Sequence, residues 1–242
     1  MIKSFWYLSK NVGDTLTPII VKYFTGQNVI YTKRHDREKL LAVGSVMSAL
    51  KNGDTVWGTG IMREKDRFLN KDKCIFLAVR GKLTEKILGR DIGVYGDPAL
   101  LLPIIYNPEI KQTHDIGFVK HYVDKNIFVD SKYKTNGLKF KNIDVEQDWQ
   151  KFIRDIKSCK KIISSSLHGI IIAEAYGIKA EWMKGSDKII GKGFKFRDYL
   201  TGTGRKEQEY GEFPPIENLK DIQYNLINSL KKHYGLPMDK KN

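Results

Sequence analysis

The stretch Lys160-Lys161-Ile162-Ile163-Ser164-Ser165-Ser166-Leu167-His168-Gly169-Ile170-Ile171-Ile172-Ala173-Glu174-Ala175-Tyr176-Gly177 constrains this chain most. An apolar run with β-branched residues reads as a buried strand, the three serines as a tight turn, and Leu167 onward as an amphipathic helix stopped by Gly177. Such a turn aims the backbone N–H groups of Leu167, His168 and Gly169 above the strand, where the helix dipole favours an anion. A histidine at that point moves protons near neutral pH. Serine runs also cap helices, and a lone histidine after a strand is often structural.

The flanking chain repeats the pattern. Leu40-Leu41-Ala42-Val43-Gly44, Thr55-Val56-Trp57-Gly58-Thr59-Gly60, Cys74-Ile75-Phe76-Leu77-Ala78-Val79-Arg80-Gly81 and Val94-Tyr95-Gly96-Asp97-Pro98 read as strands that end at glycine or a turn. Short helices are expected from Val46 to Leu50 and from Thr84 to Leu88. Asn11-Val12-Gly13-Asp14 reads as a turn, with Thr17-Pro18 opening a helix behind it. Strands alternating with helices predict a parallel α/β sheet, whose ligands lie outside the carboxyl ends of the strands. Asn11, Gly60, Arg80 and Asp97 fall at such ends. Each also has a plain structural use: Asp97 as a turn cap, Arg80 as an ion-pair partner.

From Pro103 to His114 the pattern breaks, as an interdomain link would. A second α/β run follows. It holds strand candidates at Asp115–Val119, Asn126–Val129 and Lys179–Met183, a helix face of Trp149, Phe152, Ile153 and Ile156, and a final amphipathic helix marked by Ile216, Leu219, Ile222, Leu226 and Leu230. The expected division is residues 1–107 and 108–242, with the last helix packing back on the first domain.

Composition bounds the partners. The net charge of +14 in 242 residues suits an anionic substrate or an anionic membrane surface. No nucleic-acid module is evident, so no nucleic-acid partner is expected. Cys74 and Cys159 form neither a disulfide framework nor a metal spacing. The N-terminus lacks a signal-peptide core and no window spans a bilayer, so a cytoplasmic protein is expected.

Four segments together resemble the polysaccharide pyruvyl transferase family: Asn11-Val12-Gly13-Asp14, Leu77-Ala78-Val79-Arg80-Gly81 with Thr84, Gly96-Asp97-Pro98-Ala99-Leu100-Leu101, and Ser164 through Gly169. A fifth, Phe194-Lys195-Phe196-Arg197-Asp198-Tyr199, is similar to a late element of some members. The resemblance implies a GT-B-like pair of Rossmann-type parallel-sheet domains facing across a cleft. It implies an enzyme that moves a pyruvyl group from phosphoenolpyruvate to two hydroxyls of a sugar, forming a cyclic ketal in bacterial surface polysaccharide. It implies no cofactor and no metal.

Within that expectation His168 is the acid that protonates the enol carbon, and Arg80 grips phosphate or carboxylate. Ser165, Ser166, the amides of Leu167 and His168, and Lys195 complete the donor site. Asn11, Asp14, Gly60 and Asp97 face the acceptor, though Asp14 equally suits a helix cap. Many members carry an arginine where this chain has Ser166, and Lys192, Lys195 and Arg197 are the candidate replacements, Lys195 foremost. The expected acceptor is a lipid-linked saccharide at the inner leaflet, with peripheral contact to anionic lipid. A nucleotide-sugar glycosyltransferase and a non-catalytic saccharide-binding member are the alternatives.

Overall fold

The computed structural model describes residues 1–68, 71–124 and 137–241. The strand candidate at 126–129 lies outside them.

Among the described residues, two five-stranded sheets organise the fold. The first runs β2 (Val29–Tyr31), β1 (Ile2–Phe5), β3 (Leu40–Leu41), β4 (Thr55–Trp57), β5 (Ile75–Ala78), and every neighbouring pair is parallel. Ser4 pairs with Leu40 and Val56 with Phe76, so the carboxyl ends share one edge. Only Tyr95 of the expected fourth strand pairs, in an isolated bridge to Val79. The second sheet runs β10 (Gly211–Glu212), β9 (Lys179–Trp182), β8 (Cys159–Ser164), β6 (His114–Val119), β7 (Phe140–Ile143), and only β10 is antiparallel. The architecture is α/β with two parallel-dominated sheets.

α1 (Val12–Thr25) begins earlier than the Thr17-Pro18 pair suggests. Asn11 caps it, its Oδ1 accepting from Gly13 N at 3.1 Å, and Pro18 sits inside the helix. The side-chain cap is worth about 1 kcal/mol, enough to start the helix before the proline. The segment after Val46 is a single 3-10 turn, Met47–Ala49. α2 (Lys82–Leu88) and α3 (Leu102–Ile105) follow β5, and α4 (Trp149–Lys157) precedes β8.

α5 (Leu167–Ala175) is not amphipathic: every residue in it is buried. It lies against β8, β9, α4 and the 3-10 turn Pro98–Leu101, so an apolar run on all sides has a neighbour everywhere. Its one carboxylate, Glu174, is matched by Arg205 and by the Tyr199 hydroxyl at 2.7 Å. Gly177, at φ +71, follows the helix in the left-handed conformation that ends it.

One apolar cluster joins Leu16 and Ile20 of α1 to Ile170 and Ile171 of α5 and to Leu226 of the last helix, α7 (Leu219–His233). Each such side chain contributes about 2 kcal/mol on burial. α7 rests on α1 and β5, and Trp57 Nε1 donates to Leu226 O at 2.9 Å. A smaller cluster around Leu41, Val56 and Val79 takes in Phe194, the first residue of α6 (Phe194–Gly202). The core thus binds the two sheets together.

Candidate active site

A cavity of about 350 Å³ opens at the carboxyl edges of both sheets. Asn11, Asp14 and Ser45 reach it from the first sheet, His121, Ser166 and His168 from the second, and Lys195 from α6. This is where ligands bind in parallel α/β sheets, because the strand ends and helix starts converge there.

His168 is the second residue of α5 and is 8% exposed. Its Nε2 is cut off from solvent, makes no hydrogen bond, and lies 3.8 Å from Asp97 Oδ2. The ring packs on the backbone of Gly13, where an added Cβ would stand 1.9 Å from Nδ1. Burial lowers the imidazole pKa, with Lys195 and Arg80 adding to the effect, while Asp97 and Asp14 oppose it. Asp97 itself is wholly buried, below the cavity and not on its wall. Its Oδ1 caps the 3-10 turn at Ala99 N, 3.0 Å, and its Oδ2 accepts from Gly44 N at 3.2 Å. Asp97, expected to face the acceptor, thus lies behind the His168 ring and off the cavity lining.

Arg80 takes the ion-pair role that the sequence also allowed it. It is fully buried. Nε and Nη2 each lie 2.9 Å from Asp198 Oδ2, Nη2 donates to Ile61 O at 2.7 Å, and Nη1 donates to Ser45 Oγ at 2.6 Å. The fork that would clasp a ligand anion clasps Asp198 instead. Gly60 lies under this guanidinium, where a Cβ would stand 2.3 Å from Cζ, so the structure places it with Arg80 and not on the cavity wall. Asp198 has further partners in Thr84, whose N–H donates to Oδ1 at 2.8 Å and whose hydroxyl donates to Oδ2 at 2.7 Å.

Lys195 lies one helical turn before Asp198 and points into the cavity. Among the described residues its amine has no hydrogen bond or ion pair. Burial, then the charge of Arg80, lowers its pKa to about 8, against the pull of Asp14 and Asp124. Of the three cations considered as replacements at Ser166, only Lys195 lines this cavity. Arg197 is paired with Glu209 at 2.9 Å and Glu207 at 3.6 Å, and Lys192 borders a neighbouring pocket.

Asp14 accepts from Ser9 Oγ at 2.7 Å, and burial raises its pKa against that bond and the charges of His168 and Lys195. At the start of α5 the amides of Leu167 and His168 precede any intrahelical acceptor, whereas Gly169 N donates to Ser166 O at 3.1 Å and is spent inside the turn. Ser166 lines the cavity. Ser165 does not: its Oγ accepts from His121 N at 2.9 Å.

Sequence reasoning missed His121 and the role of Asp198. His121 follows the carboxyl end of β6, the same strand-end position that singled out Arg80 and Asp97, so the signal was present. Burial, then the charge of Lys195, lowers its pKa to about 4, leaving a neutral imidazole in the cavity wall. Among the described residues no group of three His, Cys, Asp or Glu is arranged to hold a metal ion.

A helix start with two free amides, a buried histidine and a lysine amine converge where two parallel-dominated sheets meet, which defines an α/β protein with its cavity at the strand ends. Residues 11–180 match the sequence model of the polysaccharide pyruvyl transferase family, and the chain belongs to that family. The matched residues contain Asn11, Arg80, Asp97 and His168 but stop before α6 and Lys195. An uncharacterised protein of Acanthamoeba polyphaga mimivirus is 31% identical over 180 residues, 71% of this chain and 62% of that protein, so the chain spans about three fifths of its length. No solved structure matches.

Proposed function

We propose that the protein transfers a pyruvyl group from phosphoenolpyruvate to two hydroxyls of one sugar, releasing phosphate and leaving a cyclic ketal. The observation that carries the reading is His168, held against Asp97 and Gly13, in one cavity with the α5 N-terminus and the amine of Lys195. In this reading residues 1–107 and 108–242 act as two Rossmann-type halves facing across that cavity in a GT-B-like manner.

The donor is a trianion. The amides of Leu167 and His168 and the charge of Lys195 hold its phosphate, with the hydroxyl of Ser166 beside them. His168 gives a proton to C3 of the enol, and a sugar hydroxyl attacks the cation formed at C2. The C2–O bond to phosphate then breaks, and the second hydroxyl closes the ring. One hydroxyl proton replaces that taken from His168 and the other leaves with phosphate, so the balance closes. Asp14 and Asn11 orient the hydroxyls. Arg80 acts by position: through Asp198 it fixes the helix that presents Lys195. The acceptor is a lipid-linked saccharide met at the cytoplasmic face of the membrane.

The test is phosphate release from phosphoenolpyruvate against aryl and lipid-linked glycosides. Acceptor-dependent release by the native protein, abolished in His168→Ala, is expected. No release, together with no binding of phosphoenolpyruvate by calorimetry, would remove this reading in favour of a nucleotide-sugar donor or a binding role.

A further inference from the structure

The mouth of the cavity is edged by exposed apolar side chains. Ile190 is 56% exposed and Tyr122 45%, and both line the opening. Tyr7 lines it too, and the next residue, Leu8, is 74% exposed. Tyr7 Oη lies 3.4 Å from Ser48 Oγ, and Arg34 Nη2 donates to Ser48 O at 3.1 Å, so Arg34 is joined through Ser48 to the Tyr7 side of the rim.

On the far side, Ile190 is set between Lys188 and Lys192, both exposed. Among the described residues neither lysine has an ion pair. Gly191, Lys192 and Gly193 all have positive φ, at 97, 45 and 76°. That conformation is unfavourable for a lysine and marks a segment held in shape by its surroundings. Acidic groups are fewer here. Asp36 is turned back onto Thr32 and the amide of Lys33, and Asp187 and Glu38 are the other exposed carboxylates on these two segments.

Separate apolar points ringed by long cations match the headgroup layer of a bilayer better than a protein partner, which would need a continuous apolar patch. The overall charge of +14 complements anionic lipid. We infer that this rim docks on an anionic bilayer, with Ile190 and Leu8 entering the interface while Lys188, Lys192 and Arg34 meet the headgroups. The cavity then opens onto the membrane. The inference deepens, and rests on, the reading of the acceptor as lipid-linked.

Co-sedimentation with phosphatidylcholine vesicles, with and without about 30% phosphatidylglycerol, tests it. The native protein should bind the anionic vesicles at low salt and release them as ionic strength approaches about 1 M. Leu8→Asp and Ile190→Asp should each weaken partitioning about tenfold. Ile75→Asp should not, because Ile75, 50% exposed, begins β5 at the opposite edge of the sheet. Absence of binding at low salt overturns the inference, as does equal loss in Ile75→Asp or no loss in either rim variant. Phosphate release with a water-soluble aryl glycoside needs no bilayer. Release without vesicle binding therefore sinks the surface alone, and binding without release leaves the surface and removes the reaction.

Discussion

Arg80 and Asp198 form a wholly buried ion pair across 118 residues of chain, with Nε and Nη2 each 2.9 Å from one carboxylate oxygen. Arg80 follows β5 in the first sheet, and Asp198 sits on α6 one turn beyond Lys195. The pair therefore fixes the distance between the first sheet and the only amine that the described residues bring into the cavity from α6. The desolvation of both charges is offset because Thr84, Ile61 O and Ser45 supply the remaining hydrogen bonds.

Breaking this pair should cost stability and donor affinity together. Asp198→Asn keeps the shape but leaves the guanidinium buried without a counter-charge, a loss of about 3–5 kcal/mol. A thermal melt should fall by about 10 °C. Arg80→Lys should also raise the donor KM, since an ammonium cannot span Asp198, Ile61 O and Ser45 at once. A melting point and donor KM both within error of the native protein would show that the pair positions nothing.

Asp97→Asn separates the proton role of His168 from its packing. The carboxylate raises the pKa of an imidazole that burial lowers. Without that charge the pKa falls further, so the protonated acid is lost at lower pH. The alkaline limb of the kcat–pH profile should shift downward, and kcat at neutral pH should fall about 100-fold. Donor KM should change little, because Asp97 lies beneath the cavity and not on its wall. An unmoved alkaline limb would mean that His168 is not the titrating acid.

Much of this was legible in the chain, for physical reasons. Parallel strands end where ligands bind, and the apolar runs before Gly44, Gly60 and Gly81 marked three such ends. The Ser-Leu-His-Gly turn placed His168 and the start of α5 at the carboxyl end of their strand, where they line the cavity. Side-chain direction was not legible. Whether Arg80 points at a ligand or at Asp198 depends on a contact between segments far apart in sequence, which no local pattern encodes. Asp97 was read at its turn, which it does cap, but no local pattern showed that it would lie behind the histidine. α5 was read as amphipathic because the sequence could not reveal that strands, helices and a turn enclose it on every side. His121 went unnoticed although it follows a strand end as Arg80 does, because no glycine punctuates the chain between β6 and it.

Lys195 should give the donor KM a pH dependence of its own. Its pKa, lowered by burial to about 8 from an ordinary 10.5, makes the amine charged at pH 7 and neutral well above 8. Donor KM should therefore rise as pH passes upward through about 8. The folded state binds fewer protons than the unfolded one between the two pKa values, so this lysine adds stability as pH rises from 8 toward 10.5. Affinity and stability move in opposite directions over the same window. Lys195→Arg should flatten the KM profile because a guanidinium stays charged, and Lys195→Ala should raise KM at every pH. A native KM that is level from about pH 7 to 9 would exclude Lys195 from donor binding.

Gly13→Ala asks whether the seat of His168 matters apart from its chemistry. Alanine in place of glycine favours a helix by about 1 kcal/mol, so α1 gains in propensity. The new methyl would stand 1.9 Å from His168 Nδ1, which no imidazole tolerates, and the ring must swing off the Asp97 side. Misplacing an acid by about 1 Å costs roughly 100-fold in rate. The variant should fold, melt within a few degrees of the native protein and lose kcat by about that factor, with donor KM nearly preserved. A chemical-shift change at the His168 ring would report the displacement directly. Full activity with a shifted ring would show that proton delivery does not depend on where this histidine is held, and the assignment of His168 as the acid would fall with it.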